Sequence, residues 1–495
     1  MTSSAHPSIS TPDVDVAIIG AGFSGLGMAI ALQNEGKRSF AVLEKGSDVG
    51  GTWYANRYPG CACDVPSNLY SFSFAPNPQW SRAFSPQPEI FQYLRGVADT
   101  YDLRKHIRFK TEVSEARFDD ATKLWRLTMH DGTSLTARIL VSGQGALTIP
   151  AYPKIEGLET FAGDKFHSAE WRDDVSLQGK NIAVIGTGAS AIQFIPQIAP
   201  QATHLTVFQR TPPWIIPKLD RTISEEAKAR FAKQPWRQKL WRLLIYTFLE
   251  SGARNWLKPK GASANEKLAR RHLEKHVAVP QLRAKLTPDY RIGCKRILLS
   301  NDYYPTLCRE NVTLETTGIA RVEKDAVILS DGRRVPVDVI IYGTGFHVTD
   351  RTQDPFDVIG EGGRRLKEDW KNGAEAHLGI TVTGYPNYFI LMGPNTGLGH
   401  NSIIYMIESQ IAYIMSALRA MDARGLRTLD AKPQAQAAFI DEINRKVGST
   451  VWSSGCRSWY LSANGRNTTI WPDYTFKYRY RTRKIDLADY NSERA

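Results

Sequence analysis

The chain has 495 residues, of which 42% are hydrophobic and 23% are charged, and it carries a formal net charge of +13. This length exceeds what one hydrophobic core usually supports, so two or three domains are expected, and the mixed composition excludes a disordered or fibrous chain. No apolar run approaches the roughly 18 residues that span a bilayer, and therefore no integral membrane association is expected.

A glycine-rich turn follows the first predicted strand, an apolar run that ends at Gly20. The turn has the spacing GxGxxG, with Gly20, Gly22 and Gly25, and it leads into an apolar helix. Gly20 permits a tight turn, Gly22 lets the backbone approach a pyrophosphate, and Gly25 lets the helix pack on the strand. A second strand ends at Glu44, whose carboxylate can accept hydrogen bonds from ribose hydroxyls. This unit predicts a site for a cofactor that contains ADP.

The same unit recurs in the middle of the chain, where the turn reads GxGxxA and contains Gly186, Gly188 and Ser190. At the position of the acid in the first copy stands Arg210, followed by Thr211. A cation at this point favours the 2′-phosphate of NADPH. We therefore assign FAD to the first unit and NADPH to the second. The alternative is one degenerate nucleotide fold with Arg210 as an ordinary surface charge.

A basic segment follows the second unit. Residues 218–296 hold 20 Lys or Arg and 7 Asp or Glu, which accounts for the whole positive excess of the chain. The spacing of its apolar residues predicts an amphipathic helical insert with one buried face. These apolar residues are Trp236, Leu240, Leu243, Leu244, Phe248, Leu268 and Leu273. A solvated insert is the favoured interpretation, ahead of binding to nucleic acid or membrane lipid.

The cysteines and the amino-terminal residues bear on the cellular compartment. The five cysteines are Cys61, Cys63, Cys294, Cys308 and Cys456. Their odd number and wide scatter predict free thiols in a reducing compartment rather than a disulfide framework. The residues before the first strand show no export signal. A cytoplasmic location is therefore expected.

The stretch between the two units resembles a family motif. Residues 161–172 are similar to the FxGxxxHxxxW pattern of the flavin-containing monooxygenase superfamily, with Phe161, Gly163, His167 and Trp171 at the defining positions. The tryptophan is typical of type I Baeyer–Villiger monooxygenases, whereas Arg172 departs from the Pro or Asp expected next. For His167 a structural role is favoured over that of a catalytic base. Disulfide reductases would need a CxxC or CxxxxC pair, which the sequence lacks.

Further motifs extend this resemblance over nearly the whole chain. Gly51, Thr52 and Trp53 resemble a flavin-domain motif of the family, and the close backbone approach that Gly51 allows suits a flavin. Asn395 lies in a loop that the resemblance places beside the isoalloxazine. The motif GCRSWY at residues 455–460 matches a branch of the same family.

The resemblance also implies which side chains carry the chemistry. Lys295 is expected on the 2′-phosphate of NADPH together with Arg210 and Thr211. Arg296 is expected over the flavin, where a guanidinium can stabilise a C4a-peroxyflavin and then an oxyanion formed on a ketone. Asp64 is the carboxylate expected to orient Arg296. By composition alone, these charges would be read as a solvated surface and a turn cap.

The resemblance implies an FAD- and NADPH-dependent Baeyer–Villiger monooxygenase that uses O2 to convert a small-molecule ketone into an ester or lactone. A flavin monooxygenase for sulfides or amines and a non-catalytic dinucleotide-binding sensor stay open as alternatives. The expected fold is α/β, with two Rossmann-like dinucleotide-binding domains and a helical insert. The FAD-binding domain is expected at residues 1–148 and 346–495, the NADPH-binding domain at 149–217 and 295–345, and the insert at 218–294. The motifs predict no metal site, no particular ketone and no oligomeric state.

Overall fold

The computed structural model describes residues 11–257, 263–348, 354–456, 458–462 and 464–494. The strands are, in chain order, β1 (Val14–Ile19), β2 (Phe40–Leu43), β3 (Ile107–Arg108), β4 (Val113–Asp119), β5 (Leu124–Met129), β6 (Ser134–Ser142), β7 (Asp164–His167), β8 (Asn181–Ile185), β9 (His204–Phe208), β10 (Ile215–Ile216), β11 (Leu298–Leu299), β12 (Val312–Glu315), β13 (Ile319–Glu323), β14 (Ala326–Leu329), β15 (Arg334–Pro336), β16 (Val339–Tyr342), β17 (Asp357–Ile359), β18 (Tyr388–Ile390), β19 (Leu426–Ala431) and β20 (Tyr490–Arg494).

The α-helices are α1 (Phe23–Glu35), α2 (Thr52–Ala55), α3 (Gln87–Thr100), α4 (Ala191–Ile198), α5 (Glu225–Lys233), α6 (Pro235–Gly252), α7 (Arg254–Leu257), α8 (Ser263–His276), α9 (Pro280–Leu286), α10 (Tyr303–Leu307), α11 (Leu366–Asp369), α12 (Ile403–Arg424), α13 (Pro433–Gly448) and α14 (Thr475–Arg481). No helix of the described residues is both long and apolar enough to cross a membrane.

The first sheet has eight strands and is built around β1. Its order is β17-β4-β5-β6-β1-β2-β3, and β18 pairs with β6. β1 runs parallel to β2 and β6, while β4, β5 and β6 form an antiparallel meander. Helix α1 packs on this sheet and is covered in turn by α12. The sheet therefore joins residues 14–142 to strands and helices that follow residue 356.

The second sheet has five parallel strands in the order β12-β9-β8-β16-β7. Apolar β-branched runs such as NIAVI in β8 are buried, as expected for a parallel sheet covered on both faces. A small antiparallel sheet, β13-β14-β15, lies beside it. The α/β fold with two dinucleotide-binding units is confirmed, whereas the residue limits of the domains stay a prediction.

Helices α5 to α9 form the predicted helical segment, but the predicted buried face is wrong. Of its seven apolar residues, only Leu273 is buried, and the other six are exposed. The buried residues of α6 are instead Gln238 and Glu250. Helical periodicity locates an apolar stripe along a helix. It does not decide which side of the helix docks against the protein when the other side carries polar groups that find partners.

The prediction that all cysteines are free thiols is also wrong. Cys294 and Cys456, which are 162 positions apart in sequence, form a disulfide with their Cα atoms 6.2 Å apart. Cys61 and Cys63 are free and buried, and Cys308 is free and exposed. Scattered cysteines look unpaired in sequence because only the fold brings the end of the insert against the C-terminal loop.

Candidate active site

The carboxyl ends of β1 and β8 open into one cavity of about 1420 Å³. Parallel α/β sheets bind ligands at this end of their strands. The volume exceeds the roughly 300–1,000 Å³ of sites for single small molecules. Residues of both glycine-rich turns line it. The two units therefore share one continuous space with room for more than one ligand.

The first glycine-rich turn has the geometry that its spacing predicts. Gly20 has φ +93°, and a Cβ on Gly25 would lie 1.8 Å from the carbonyl oxygen of Gly20. Because no side chain tolerates that distance, only glycine lets α1 pack against β1. Gly22 precedes α1 without a side-chain cap. The amides of the first helical turn can therefore donate to a pyrophosphate.

Glu44 follows β2 and lines the same cavity. Its two carboxylate oxygens accept hydrogen bonds from the amides of Ala21 and Gly46, each at 2.7 Å. The carboxylate thus holds the glycine-rich turn against the loop that follows β2. Each carboxylate oxygen can accept more than one hydrogen bond, so the group can also receive ribose hydroxyls from the cavity.

The motif around α2 lies against the first turn. Gly51 has φ +54°, and its added Cβ would lie 3.0 Å from the Cα of Gly22. Both Thr52 and Trp53 line the cavity, and the indole nitrogen of Trp53 donates to the hydroxyl of Tyr70 at 3.2 Å. The two backbones approach closely here because neither glycine carries a side chain.

The second turn repeats this construction. Gly186 has φ +109°, and a Cβ there would lie 2.4 Å from the carbonyl oxygen of Gly343, whereas the space around Gly188 is more open. Ser190 precedes α4 and makes no side-chain cap. All three predicted residues of the turn line the cavity. The amino end of α4 is therefore open to a second phosphate group.

Arg210, Thr211 and Lys295 line the same part of the cavity. Arg210 and Thr211 lie just beyond β9, and Lys295 comes from the end of the insert with its Nζ 4.5 Å from the ring centroid of Tyr290. Burial lowers the pKa of Lys295, and the charge of Arg210 lowers it further. Neighbouring cations repel each other, which makes this corner favourable for a phosphate dianion.

Arg296 and Asp64 form an ion pair in the cavity wall. The Nε and Nη2 atoms of Arg296 donate to Oδ2 of Asp64 at 3.0 and 2.5 Å, and Nη1 donates to the carbonyl of Leu398 at 3.3 Å. The arginine side chain is 30% exposed and the aspartate 33%. Because both residues line the cavity, a cation of fixed orientation is presented to its interior.

The ion pair keeps both groups charged. Burial tends to raise the pKa of Asp64, but the charge and hydrogen bonds of Arg296 outweigh burial, and the pKa is lowered. Asp64 in turn raises the pKa of Arg296 despite the burial of the guanidinium. The guanidinium is therefore a permanent cation, and the carboxylate both neutralises and orients it.

The residues of the family motif lie behind the cavity rather than in its lining. Phe161 and Trp171 are buried, and Trp171 packs edge-on against Phe166 at 5.2 Å between ring centroids. A Cβ on Gly163 would lie 2.2 Å from the carbonyl oxygen of Asp338. These three positions are explained by close packing of β7 and the following turn.

His167 ends β7 and is fully buried. Its Nδ1 accepts a hydrogen bond from the amide of Ala169 at 3.1 Å, and burial lowers its pKa. The ring packs edge-on against Phe346, next to the chain crossing between the two sheets. Burial therefore favours the neutral imidazole, and His167 does not line the cavity. Its structural role stays a prediction.

Two other predicted positions lie outside the cavity lining. Arg172 is exposed and forms ion pairs with Asp164, at 3.0 Å, and with Asp174, so its departure from the motif does not touch the site. Asn395 is buried and has φ +57°, and its amide donates to the carbonyl of Asn467 at 2.9 Å. A direct contact of Asn395 with a cofactor stays a prediction.

Sequence reasoning assigned no role to the C-terminal loop that carries Trp459 and Tyr460. Trp459 lines the cavity. Tyr460 is buried, which raises its pKa to about 12, although nearby Arg296 opposes the shift. The disulfide of Cys456 ties this loop to the residue before Lys295. The motif at residues 455–460 was the one feature of the sequence that pointed to this loop. Its residue spacing does not indicate what Trp459 and Tyr460 contact.

Comparison with known proteins identifies the family. A family model described as flavin-binding monooxygenase-like matches residues 13–352. A Baeyer-Villiger monooxygenase of Pseudomonas aeruginosa is 49% identical over 479 residues, covering 96% of this chain and 91% of that protein. One of Streptomyces coelicolor is 48% identical over 480 residues, covering 96% and 92%. The chain therefore belongs to the flavin-binding monooxygenase-like family.

Solved structures agree with this assignment. OTEMO in complex with FAD and NADP superposes with a TM-score of 0.88 at 27% identity, covering 98% of this chain and all of that one. The closed structure of cyclohexanone monooxygenase gives the same TM-score, identity and coverage. Oxidised steroid monooxygenase bound to NADP gives 0.86 at 30% identity, covering 97% of this chain. The predicted class of enzyme, a flavin-dependent monooxygenase, is confirmed.

Proposed function

We propose that this protein is a Baeyer–Villiger monooxygenase that uses FAD, NADPH and O2 to convert a ketone into an ester or lactone. The observation that carries the proposal is the Arg296–Asp64 ion pair in the wall of a cavity shared by two nucleotide-binding turns. Relatives with 48–49% identity over most of both chains carry the same name.

The residues of the cavity fit both cofactors. The first turn, Glu44 and the loop of Gly51, Thr52 and Trp53 would hold FAD. The second turn, together with Arg210, Thr211 and Lys295, would hold NADPH. When bound, FAD accepts a hydride from NADPH and activates O2 for insertion next to a carbonyl carbon.

Arg296 supplies the main electrostatic contribution of the protein. Negative charge develops on the carbonyl oxygen of a ketone when its carbon is attacked, and a fixed guanidinium lowers the energy of that state. Asp64 holds the guanidinium in one orientation, so little reorganisation is needed during the reaction. Loss of one such donor typically costs about 100- to 1,000-fold in rate.

A monooxygenase acting on sulfides or amines is the second candidate. It would use the same two turns, but oxygen transfer to sulfur or nitrogen passes through no tetrahedral alkoxide on a carbonyl carbon for Arg296 to stabilise. The permanent cation in the cavity wall therefore favours ketones.

We also propose that the enzyme works in the cytoplasm, on the ground that three of its five cysteines, Cys61, Cys63 and Cys308, are free thiols, whereas the Cys294–Cys456 bridge would be subject to reduction there. Cell fractionation with an antibody against the chain tests this location. Recovery in an exported fraction would contradict it.

Product analysis with the purified yellow enzyme tests the reaction. Cyclic, linear and aryl ketones and one sulfide are incubated with NADPH under 18O2, and mass spectrometry should find one labelled oxygen in an ester or lactone. Arg296→Ala should retain its flavin spectrum yet lose ketone oxygenation by at least about 100-fold. The control Arg172→Ala, which removes an exposed ion pair, should behave like wild type. Ester formation by Arg296→Ala at a near wild-type rate would contradict the role assigned to Arg296.

A further inference from the structure

Helix α6 presents its apolar residues to the surface. Six large apolar side chains of this 18-residue helix are between 39% and 71% exposed. These residues, which we call the α6 face, are Trp236, Leu240, Trp241, Leu243, Leu244 and Phe248. No other helix of the described residues exposes as many large apolar side chains. Contiguous exposed apolar surface of this kind marks an interaction site.

The opposite side of α6 is polar and is anchored by hydrogen bonds. Gln238 donates from Nε2 to Oδ1 of Asn68 at 2.8 Å and to the carbonyl of Asn77 at 2.7 Å. Near the other end of the helix, buried Glu250 accepts a hydrogen bond from Asn401 at 2.6 Å. Because these buried groups would lose their partners if the helix turned over, the outward direction of the α6 face is fixed by the fold.

Most charges around the α6 face are positive. Residues 225–257 contain seven Lys or Arg and three acids, of which Glu250 is buried and Glu225 and Glu226 begin α5. Arg237 and Lys239 lie on the exposed part of α6, and α5 packs beside it with Arg230 and Lys233 exposed. An apolar stripe with a mainly positive rim calls for a partner that is both apolar and anionic.

Helix α14, which also exposes aromatic groups among basic residues, adjoins α6. The hydroxyl of Tyr246 lies 3.0 Å from Oγ1 of Thr475, the first residue of α14. On α14, Phe476 and Tyr480 are 49% and 65% exposed. Residues 474–484 contain five Lys or Arg and no Asp or Glu. Exposed aromatic groups among basic residues thus continue beyond α6.

We propose that the α6 face docks this protein on the surface of an anionic lipid bilayer. The helix would lie in the plane of the interface, with Trp, Leu and Phe side chains at the boundary between headgroups and acyl chains. The surrounding Lys and Arg side chains would pair with anionic headgroups. A second copy of this chain fits the face less well, because two such surfaces would bring like charges together.

Vesicle flotation with the purified holoenzyme tests the proposal. The protein should float with vesicles of phosphatidylcholine and phosphatidylglycerol, and less with phosphatidylcholine alone. The variant Leu243→Ser/Leu244→Ser/Phe248→Ser should bind the anionic vesicles at least about tenfold more weakly. Its NADPH oxidation with a water-soluble ketone should match wild type. Val279→Ser, which removes an exposed apolar side chain on another element, is the control and should float like wild type.

Charge reversal tests the basic rim separately. Arg237→Glu/Lys239→Glu should lower binding to the anionic vesicles, and added salt should weaken wild-type binding in the same way. Equal flotation of wild type and the triple serine variant would overturn the proposal. Failure of the wild type to bind anionic vesicles would also overturn it. A dimer by light scattering that the triple serine variant dissociates would identify a second copy as the occupant and overturn it too.

Discussion

For single residues, we expect Arg210 and Lys295 together to determine the choice of reductant. Arg210→Ala and Lys295→Ala should each raise the KM for NADPH about 10- to 100-fold, because each removes a charge-assisted hydrogen bond to the 2′-phosphate. The KM for NADH, which lacks that phosphate, should change little. Steady-state kinetics with both cofactors measures this, with exposed Lys180→Ala as the control. Equal losses for NADH and NADPH would contradict a phosphate contact.

The lowered pKa of Lys295 adds a pH dependence. Burial and the charge of Arg210 favour the neutral amine, so Lys295 loses its proton at a lower pH than an ordinary lysine, whose pKa is 10.5. The KM for NADPH should therefore rise with pH before that value is reached, while the KM for NADH stays level. If the KM for NADPH depends on pH in wild type but not in Lys295→Ala, the titration belongs to Lys295. The same pH profile in both proteins would contradict it.

Gly25 tests the packing of the first turn. An added methyl group would lie 1.8 Å from the carbonyl oxygen of Gly20, so Gly25→Ala should lower the free energy of unfolding by about 1–3 kcal/mol and reduce the flavin content. Gly96→Ala is the matched control, because its methyl group meets no atom within 4 Å on α3, and it should raise stability by about 0.5–1 kcal/mol. Urea unfolding and flavin absorbance check both variants.

At the scale of elements, the Cys294–Cys456 disulfide joins the end of the insert to the C-terminal loop. Cys456→Ser should lower the free energy of unfolding by about 2–5 kcal/mol, since the bridge closes a long segment of chain. It should also raise the KM for NADPH, because Lys295 follows Cys294 directly. Cys308→Ser, which changes an exposed free thiol, should do neither. Five reactive thiols in the denatured, unreduced wild type would show that the bridge is absent.

The helices of the insert show where element-level prediction stops. Their apolar spacing correctly indicated a helix at α6, because periodicity is a local property. The same periodicity predicted the wrong side of α6 to be buried. The side that packs against the protein carries Gln238 and Glu250, whose hydrogen-bond partners are distant in sequence. These partners are Asn68, Asn77 and Asn401.

At the scale of the whole molecule, both sheets open into one cavity, and ligands should therefore hold them together. Removal of FAD should lower the melting temperature, and added FAD should restore it, because a ligand stabilises the state to which it binds. FMN is the matched control, since it lacks the ADP half that the first turn and Glu44 are predicted to hold. Recovery with FMN as complete as with FAD would contradict the assignment of these residues. Thermal unfolding with each flavin measures the difference.

The two nucleotide turns and the α/β class follow from the amino-acid sequence alone. In each six-residue turn, three small residues allow the unusual backbone angles and the close packing of a helix on a strand. Gly20 and Gly25 show both effects. Arg210 could be read from its position relative to such a turn. The resemblance to a family added Arg296 and Asp64, which no spacing links.

Which residues these side chains contact depends on the tertiary structure. Asp64 pairs with Arg296 across 232 residues, and Cys294 pairs with Cys456 across 162. In the folded chain, His167 and Trp171 lie behind the cavity and Arg172 lies at the surface. The apolar side of α6 faces outward. These outcomes depend on how two sheets and an insert pack against one another. Such packing is set by shape and by distant hydrogen-bond partners, which local sequence patterns do not encode.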